Sequence, residues 1–419
     1  MKPVLMRAVT AAAIAVLSAA PAAARDLYRS VVTIGTDTVV QTANSLTDLD
    51  ELFDDSSLSD LFPSYIPGVS AVGGALDIRG LTALATYAAS STSLRFAVPV
   101  AGIDVTFTGA DRDESQEMFE DWLRGKRVPG VDNAVTDLLQ ALVAESAVDP
   151  VAGNPNSLQS RMLYADLELG SRGPFLSDYP DASQRIPMLF RLDAGFGQYS
   201  AGPYGGQTYD LSLGIGWNIL RRLALVSDLS GLLSVIEGDA IAGHGSLGIG
   251  LQGRILDWWN LGLVGRAGLV GSIDVGAVAA MYSVSLINHM RFDLDAYGFG
   301  DYRIEMRNMV GVANTANGLE IKGIELEYDL TNVVFKNGLE LSRPIGLGSS
   351  SRALRARLFW TDTHFVKDEL WLEHSDEIGL GIALANRSGV ATYDPVNVDI
   401  SYVFGDDYDA LRLRASFRF

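Results

Sequence analysis

The chain of 419 residues contains no cysteine, and histidine occurs only four times. Without thiols it can form neither disulfides nor thiolate metal sites, and it cannot carry a lipid on a cysteine behind an export signal. An exported protein of this composition has to obtain its stability from packing and hydrogen bonding.

Long uncharged apolar runs are also missing after the first 24 residues. A transmembrane helix needs about 20 predominantly apolar residues, and even the richest region, "LGLVGRAGLVGSIDVGAVAAMYSVSLI", is interrupted by Arg266 and Asp274. Basic residues are outnumbered, with 32 Lys and Arg against 51 Asp and Glu, for a net charge of −19. Nucleic acid would repel such a chain, so we expect no nucleic-acid partner.

The N-terminus reads "MKPVLMRAVTAAAIAVLSAAPAAARD". Lys2 and Arg7 precede an apolar stretch over 8–20, and small residues follow up to Ala24. This pattern is typical of a secretory signal peptide cleaved after Ala24. We therefore expect residues 1–24 to be removed and the mature chain to be exported.

From about residue 158 onward, apolar and polar residues alternate in one segment after another. Side chains of a strand point alternately to its two faces, so each segment has one apolar and one polar face. Segments of about 9–11 residues can cross a membrane at a tilt. The candidate strands lie near 159–170, 187–199, 208–220, 222–235, 243–255, 259–271, 282–294, 302–307, 319–330, 333–343, 352–361, 367–386, 395–404 and 408–419. Because the joins are short, we expect 12 to 14 antiparallel strands that stack or close.

A soluble sandwich would show the same alternation, but the last segment, "YDALRLRASFRF", favours a membrane barrel. It alternates apolar residues with charged ones and resembles the C-terminal strand of bacterial outer-membrane β-barrel proteins. The resemblance implies an outer-membrane location, contact with membrane lipid and lipopolysaccharide, and recognition by the barrel-assembly machinery. The residues that would carry this assembly signal are Leu413, Ala415, Phe417 and Phe419.

Residues 25–157 follow a different pattern. "LRFAVPVAGIDVTFTG" predicts a hairpin, and apolar stripes predict two short helices, in "DESQEMFEDWLRG" and, capped by Asp132, over 132–145. The second helix either packs in a small periplasmic unit or enters the barrel and plugs it. An N-terminal segment, a linking helix and a barrel of about 12 strands together resemble the translocator of autotransporters, and solitary autotransporter-like barrels in particular. The resemblance implies an all-β transmembrane barrel with a small N-terminal α+β segment.

Charged residues recur on the polar faces, which would line the lumen of such a barrel. They can pair across the lumen and close it, or line a narrow, anion-favouring path. The predicted lumen-lining residues are Arg191, Asp193, Arg254, Arg266, His289, Arg291, Asp293, Arg303, Glu305, Arg307, Glu325, Glu327, Arg355, Arg357, Asp399, Arg412, Arg414 and Arg418. We expect a structural or transport barrel without catalysis or cofactor; a passive or anion-favouring channel and an outer-membrane lipid hydrolase stay open as alternatives.

Two histidine patterns are relevant to these alternatives. His244 and Ser246 in "GHGSLGIG" share one strand face, where an imidazole could activate a hydroxyl, and some outer-membrane lipid deacylases have a similar spacing. A solvated loop-edge histidine is the preferred interpretation. His364 and His374 lie among carboxylates that could bind a divalent cation through oxygen, although an acidic outer loop is favoured and no metal site is predicted. The acidic residues are Asp362, Asp368, Glu369, Glu373 and Asp376.

Overall fold

A computed structural model describes residues 26–45, 55–171, 188–220, 222–236, 240–316, 320–321, 324–325, 327–345, 352–386 and 396–419. The predicted signal peptide, residues 1–24, lies outside the described residues. Within the described residues, no helix has the length and apolar character that crossing a membrane requires.

The first part of the chain, which we call the N-terminal domain (described residues of 26–145), contains a six-stranded antiparallel sheet with the order β2-β1-β3-β4-β5-β6. Its strands are β1 Tyr28–Ile34, β2 Asp37–Ala43, β3 Val72–Ile78, β4 Leu81–Tyr87, β5 Leu94–Val98 and β6 Ile103–Phe107. Its helices are α1 Asp55–Leu61, the 3-10 helix Pro99–Ala101, α2 Arg112–Leu123 and α3 Val135–Glu145. The predicted hairpin is confirmed as β5 and β6, and both predicted helices are present.

The caps of these two helices differ from each other. The Asp111 side chain accepts a hydrogen bond from the Glu114 backbone N–H at 2.9 Å, which fixes the start of α2. The predicted Asp132 cap is wrong, because α3 begins only at Val135, with Ala134 as its N-cap residue and no side-chain cap.

Twelve strands form a closed antiparallel barrel, which confirms the predicted fold class. They are β7 Met188–Ala201, β8 Tyr204–Leu220, β9 Leu223–Ile236, β10 Ala240–Leu256, β11 Trp259–Ser272, β12 Ala277–Asp293, β13 Arg303–Ala316, β16 Thr331–Pro344, β17 Arg352–Lys367, β18 His374–Asn386, β19 Val396–Gly405 and β20 Tyr408–Arg418. A 3-10 helix, Leu294–Tyr297, follows β12. Strand β20 pairs with β7 and closes the barrel, and Phe190 and Phe419 exchange backbone hydrogen bonds of 2.8 and 3.1 Å at the seam.

Two predicted strands are wrong, which reduces the 14 candidates to 12. The segment 159–170 belongs to a helix, α4 Leu158–Ser171, in which Leu158, Met162, Leu163 and Leu167 recur at helical spacing. The described residues of 319–330 form no barrel strand. They include β14 Glu320–Ile321 and β15 Ile324–Glu325, which pair in a sheet separate from the barrel wall.

The barrel is apolar outside, and its inward face combines charged and polar residues with buried apolar ones such as Val264 and Ile287. Along its strands the outward residues, among them Leu213, Leu247 and Leu263, are about half exposed, at 52%, 51% and 52%, and the alternating residues face the lumen. Aromatic pairs lie near both rims, for example Trp258 with Phe292 and Tyr402 with Phe404. A closed barrel with an apolar outer band and aromatic girdles satisfies every backbone group within a bilayer.

The two ends of the barrel are distinguished by what lies there. The terminal end is where β7 begins and β20 ends. The domain end is opposite, and includes the connections Ser272–Ala277 and Lys367–His374. The N-terminal domain packs on the domain end. The Tyr28 hydroxyl donates to the Val275 carbonyl at 2.9 Å, and the Trp371 backbone N–H donates to the Val143 carbonyl at 3.1 Å.

Candidate functional site: the occupied lumen

Helix α4 lies inside the barrel and packs against strands β9 to β13. All of its residues are buried except Tyr164 and Ala165, which are half-buried. Its first turn approaches Gly268 and its last turn approaches Gly262, on a strand that runs from the terminal end to the domain end. The helix therefore runs through the lumen from the domain end toward the terminal end. At 1.5 Å per residue its 14 residues span about 21 Å.

Glycine makes the closest approach between helix and wall possible. A Cβ built on Gly262 would lie 2.8 Å from the carbonyl oxygen of Gly170 and 3.0 Å from its Cα. Because those are backbone atoms, neither can move aside without shifting the whole helix. These two glycines let the end of α4 rest directly on β11.

A buried ionic cluster fastens the middle of α4 to the wall. One oxygen of Asp166 accepts from Arg266 Nε at 2.6 Å, and the other accepts from the hydroxyls of Ser283 and Ser285 at 2.8 Å each. Arg266 also donates to Asp228 at 2.6 Å. The side chains of Asp166 and Arg266 are both 0% exposed. Buried charges are tolerated only when they are paired and hydrogen-bonded, so the wall arginine and the helix carboxylate depend on each other.

A second chain of ion pairs continues around the wall from the end of the helix. Glu168 of α4 lies 3.4 Å from Arg307, which lies 3.3 Å from Glu340. Glu340 binds Arg357 at 2.8 Å, and Arg357 reaches Asp399 at 3.3 Å. The inward charges of five elements are thus joined in one network that includes the helix.

The connection over 146–157 carries the chain from the N-terminal domain into the lumen. Asp149 in this connection pairs with Arg79 of the domain at 3.0 Å, and both side chains are buried. Burial alone would lower the pKa of Arg79, but the attraction of Asp149 raises it above the ordinary value, so the guanidinium stays charged. Gly153 has φ +92°, and a Cβ there would lie 2.5 Å from the Val143 carbonyl oxygen. Only glycine fits this turn.

The predicted lumen-lining residues differ in burial, and two of them lie outside the barrel strands. Those buried inside the barrel are Arg191, Arg266, Arg307, Arg357, Asp399 and Arg412. Those half-buried are Asp193, Arg254, His289, Arg291, Arg303, Glu305, Arg355, Arg414 and Arg418. Asp293 is exposed at the terminal end, where it pairs with Arg303 at 2.6 Å. Glu325 belongs to the hairpin outside the wall, and Glu327 is an exposed residue after it, so these two lie outside the barrel strands.

The residues that the sequence did not reveal are the counter-charges on the helix. The alternation over 159–170 predicts a strand, which hides Asp166 and Glu168 as helix residues. The signal that could have identified them was the i, i+4 recurrence of Leu158 and Met162, and of Leu163 and Leu167, over a stretch of helix length.

His244 and Ser246 on β10, the residues considered for the lipid-hydrolase alternative, each contact other groups. The His244 ring nitrogen lies 3.2 Å from the Asn156 carbonyl oxygen, and His244 is half-buried against the connection rather than at a solvated loop edge. The Ser246 hydroxyl contacts Ser230 at 2.8 Å and accepts from Arg266 at 3.1 Å. Each side chain therefore has a structural partner.

Three residues of the second histidine pattern, His374, Asp362 and Asp376, form a cluster on the outer face near the domain end. They lie on strands β17 and β18, so the favoured acidic loop is wrong for them. His374 Nε2 lies 2.9 Å from Asp362 and 3.8 Å from Asp376. One ligand atom from each residue falls within 4.8 Å of the other two. The hydrogen bond from Trp360 to Asp376, at 2.8 Å, ties the same cluster to the wall. These groups could bind a divalent cation, but the ion pairs account for their positions without one.

The predicted assembly residues line the outer face of β20. Phe417 and Phe419 are 42% and 69% exposed, and Phe419 stacks on Phe190 across the seam with ring centroids 5.8 Å apart. Leu413 and Ala415 are half-buried on the same face. Recognition by the assembly machinery stays a prediction.

The geometry defines the chain as a membrane-spanning β-barrel of the bacterial outer-membrane type, with a helix in its lumen and a small domain on one end. No protein-family model matches the sequence, and no curated protein matches it.

Solved structures that resemble the chain include the β domain of the Bordetella autotransporter BrkA, at 16% identity and a TM-score of 0.42, covering 56% of this chain and 99% of that one. The translocator domain of autotransporter NalP from Neisseria meningitidis matches at 15% identity and a TM-score of 0.39, covering 55% and 87%. The transport unit of the autotransporter AIDA-I from Escherichia coli matches at 11% and 0.34, covering 62% and 97%. These values are too low to carry an argument about function, which rests on the geometry of the chain itself.

Proposed function

We propose that this protein is a self-occluded outer-membrane barrel that holds its own N-terminal domain on the outer surface of the membrane. The observation that carries the proposal is the path of the chain. The N-terminal domain packs on the domain end, α4 runs through the lumen, and β7 begins at the terminal end. A chain with this path has its N-terminal domain and the start of its barrel on opposite sides of the membrane.

The side that faces outward follows from the terminal strand. If β20 is read by the barrel-assembly machinery, which receives chains from the periplasm, the terminal end faces the periplasm. The longest connection between consecutive barrel strands, between Ala316 and Thr331, lies at the domain end, and long connections are typically extracellular in such barrels. Both arguments support an outer location for the N-terminal domain. The second predicted helix belongs to this domain as α3, and the helix in the lumen is α4 instead.

The lumen supports a structural role more than free diffusion. The helix packs against five wall strands, and its carboxylates are committed to wall arginines. This favours a closed barrel over the passive or anion-favouring channel. Because His244 and Ser246 are each bound to other partners, the proposal assigns no catalytic step to them.

The test uses the absence of cysteine. Two single-cysteine variants, Ile66→Cys in the N-terminal domain and Tyr297→Cys at the terminal end, place the only thiol at sites that are 56% and 71% exposed. A membrane-impermeant maleimide applied to intact cells should label the first variant and not the second. Both should be labelled after the outer membrane is permeabilised, which is the control for reactivity. Labelling of Tyr297→Cys alone in intact cells would overturn the proposed orientation.

A further inference from the structure

The face of α4 that turns away from β9 to β13 carries Tyr164, and three cations surround its ring. The guanidinium carbon of Arg414 lies 4.5 Å from the ring centroid, that of Arg161 lies 5.7 Å away, and Lys336 Nζ lies 5.8 Å away. Arg412 lies near the same ring, since it lines one cavity together with Arg161, Tyr164 and Lys336. Four cations from α4, β16 and β20 therefore converge on one tyrosine.

This basic cluster, defined as Arg161, Lys336, Arg412 and Arg414, is not neutralised as the rest of the lumen is. Arg161 pairs with Asp210 at 3.1 Å. In the part of the chain that the structure describes, the other three have no carboxylate within the 4 Å of an ion pair. Arg266, Arg307 and Arg357, by contrast, each bind at least one carboxylate.

Lys336 and Arg412 are buried without an ion-pair partner among the described residues, and Arg161 is buried with one. Lys336 is 6% exposed, Arg412 is 8% exposed and Arg161 is 9% exposed. Lys336 Nζ donates to the Thr363 hydroxyl at 3.1 Å, and Arg412 donates to Asn156 Oδ1 at 3.2 Å. The Nη1 of Arg161 is buried, with no hydrogen-bond acceptor among the described residues. Burying charges without a counter-charge is costly, so the cluster is electrostatically incomplete.

A cavity of about 30 Å³ lies between these side chains, lined also by Ser160, Thr363 and Glu377. Among the described residues that line it, Glu377 is the single carboxylate, and it accepts a hydrogen bond from the Ser401 hydroxyl at 2.6 Å. This volume counts the space open to the centres of water molecules, and one water needs about 10–15 Å³ of it. The cavity therefore holds roughly two waters. That space suits a compact group rather than an extended molecule, and guanidinium forks match the oxygen geometry of a phosphate group.

We propose that the lumen binds a small tetrahedral oxyanion, inorganic phosphate or sulfate, between α4 and strands β16 and β20, and that the bound anion strengthens the hold of the barrel on its helix. The site joins residues of the helix and of two wall strands, so an occupied site favours the arrangement with the helix in the lumen. This goes beyond the proposed display of the N-terminal domain and does not depend on which side of the membrane that domain occupies.

The experiment measures the thermal unfolding midpoint of the purified full-length protein in detergent, in phosphate, sulfate or chloride at constant ionic strength. Ligand that binds only the folded state raises the midpoint with concentration. We expect phosphate and sulfate to raise it and chloride not to. Lys336→Gln and Arg412→Gln should weaken phosphate binding, followed by titration calorimetry, at least about tenfold, because each removes a charge-assisted hydrogen bond.

Arg222→Gln is the matched control, since it removes one positive charge at an exposed position of the same barrel. It should keep the full phosphate response. Lys336→Gln should also unfold at the same or a higher temperature than the wild type in chloride alone, because it removes a buried uncompensated charge. A lower midpoint in chloride would mean that Lys336 already has its counter-charge within the protein, and it would overturn the proposal. Equal responses to phosphate and chloride, or an unchanged phosphate affinity in Lys336→Gln and Arg412→Gln, would overturn it as well.

Discussion

The strands of the N-terminal domain and of the barrel alternate in the same way, but they bury opposite kinds of side chain. In β4 the apolar residues Leu81, Ala83 and Tyr87 are buried, and the intervening Thr82 is exposed. In the barrel the inward residues include the charges of the helix network, and the apolar residues are outside. Water surrounds the N-terminal domain, and hydrocarbon surrounds the barrel. The strands alternate in the same way in both regions, but the apolar face points inward in the domain and outward in the barrel.

The difference also changes what holds each region together. The N-terminal domain has an aromatic core in which Phe96, Phe107, Phe119 and Trp122 contact one another, with ring centroids 4.9 to 6.5 Å apart. The barrel interior combines apolar packing around α4 with buried ion pairs that are specific in direction and partner. Removing a charged group inside the barrel should therefore lower stability strongly. Removing one on the surface of the N-terminal domain should change stability little.

The largest expected effect comes from Asp166→Asn. It removes one of the two carboxylates that pair with the buried Arg266. Breaking a buried pair costs up to about 3–5 kcal/mol, so the helix should leave the lumen more often and single-channel conductance in planar bilayers should rise. The control is Asp104→Asn in the N-terminal domain, whose pair with Arg95 has the same 2.6 Å separation but is more than half exposed. This control should behave as the wild type. A closed Asp166→Asn barrel would show that other contacts hold the helix.

The next effect tests the inverted faces directly. Leu213→Arg places a charge on the outer face of β8, where lipid contact near the membrane midplane makes arginine unfavourable by about 2–4 kcal/mol. Val69→Arg makes the same kind of change at an exposed apolar residue of the N-terminal domain and should have little effect. Heat-induced unfolding of the barrel in lipid vesicles, followed by gel mobility, measures both. Equal tolerance of the two variants would contradict the lipid-facing assignment.

Gly262→Ala should have a smaller effect. The new methyl group would meet the backbone of Gly170 in α4, and overpacking of this kind costs about 1–3 kcal/mol. We expect brief, partial channel openings. Gly265→Ala on the same strand is the control, because its Cβ would have no neighbour closer than 4.0 Å. Openings of the same frequency in both variants would argue against a tight helix contact at Gly262.

The smallest effect concerns the contact between the two regions. Tyr28→Phe removes the hydroxyl that binds the Val275 carbonyl, at a cost of about 1 kcal/mol. Burial raises the pKa of Tyr28 to about 12, above its value of about 10 in an unfolded chain. The stability from the neutral hydroxyl is therefore complete below pH 10 and is lost as the pH rises toward 12.

The wild type and Tyr28→Phe should accordingly differ in unfolding midpoint at pH 8, and the gap should shrink or reverse near pH 12. Tyr65 and Tyr87, whose pKa values burial also raises, are present in both proteins and cancel in the difference. A gap independent of pH would mean that Tyr28 does not ionise at this interface.

Much of the barrel could be predicted because strand identity is a local property. The segments around Leu213, Ile249 and Val398 alternate over their whole length, and their structures follow. The segment 159–170 could not be assigned in this way, because it alternates as a strand and also recurs at helical spacing. The surroundings of this segment determine that it is a helix. A helix can satisfy its own backbone inside the lumen, whereas an isolated strand there would leave its hydrogen-bonding groups unpaired.

The sequence by itself determined the alternation of polar and apolar faces, the charge that lines the lumen, and a set of strands long enough to span a membrane, since each depends on neighbouring residues alone. The tertiary structure decided that the barrel closes between β20 and β7, that the helix lies inside it, and which charges meet. Asp166 and Arg266 are 100 residues apart in sequence, and Asp149 and Arg79 are 70 apart. Such pairs form only once the tertiary fold has brought distant segments together, because a charge is stable in a buried position only where the fold supplies its partner.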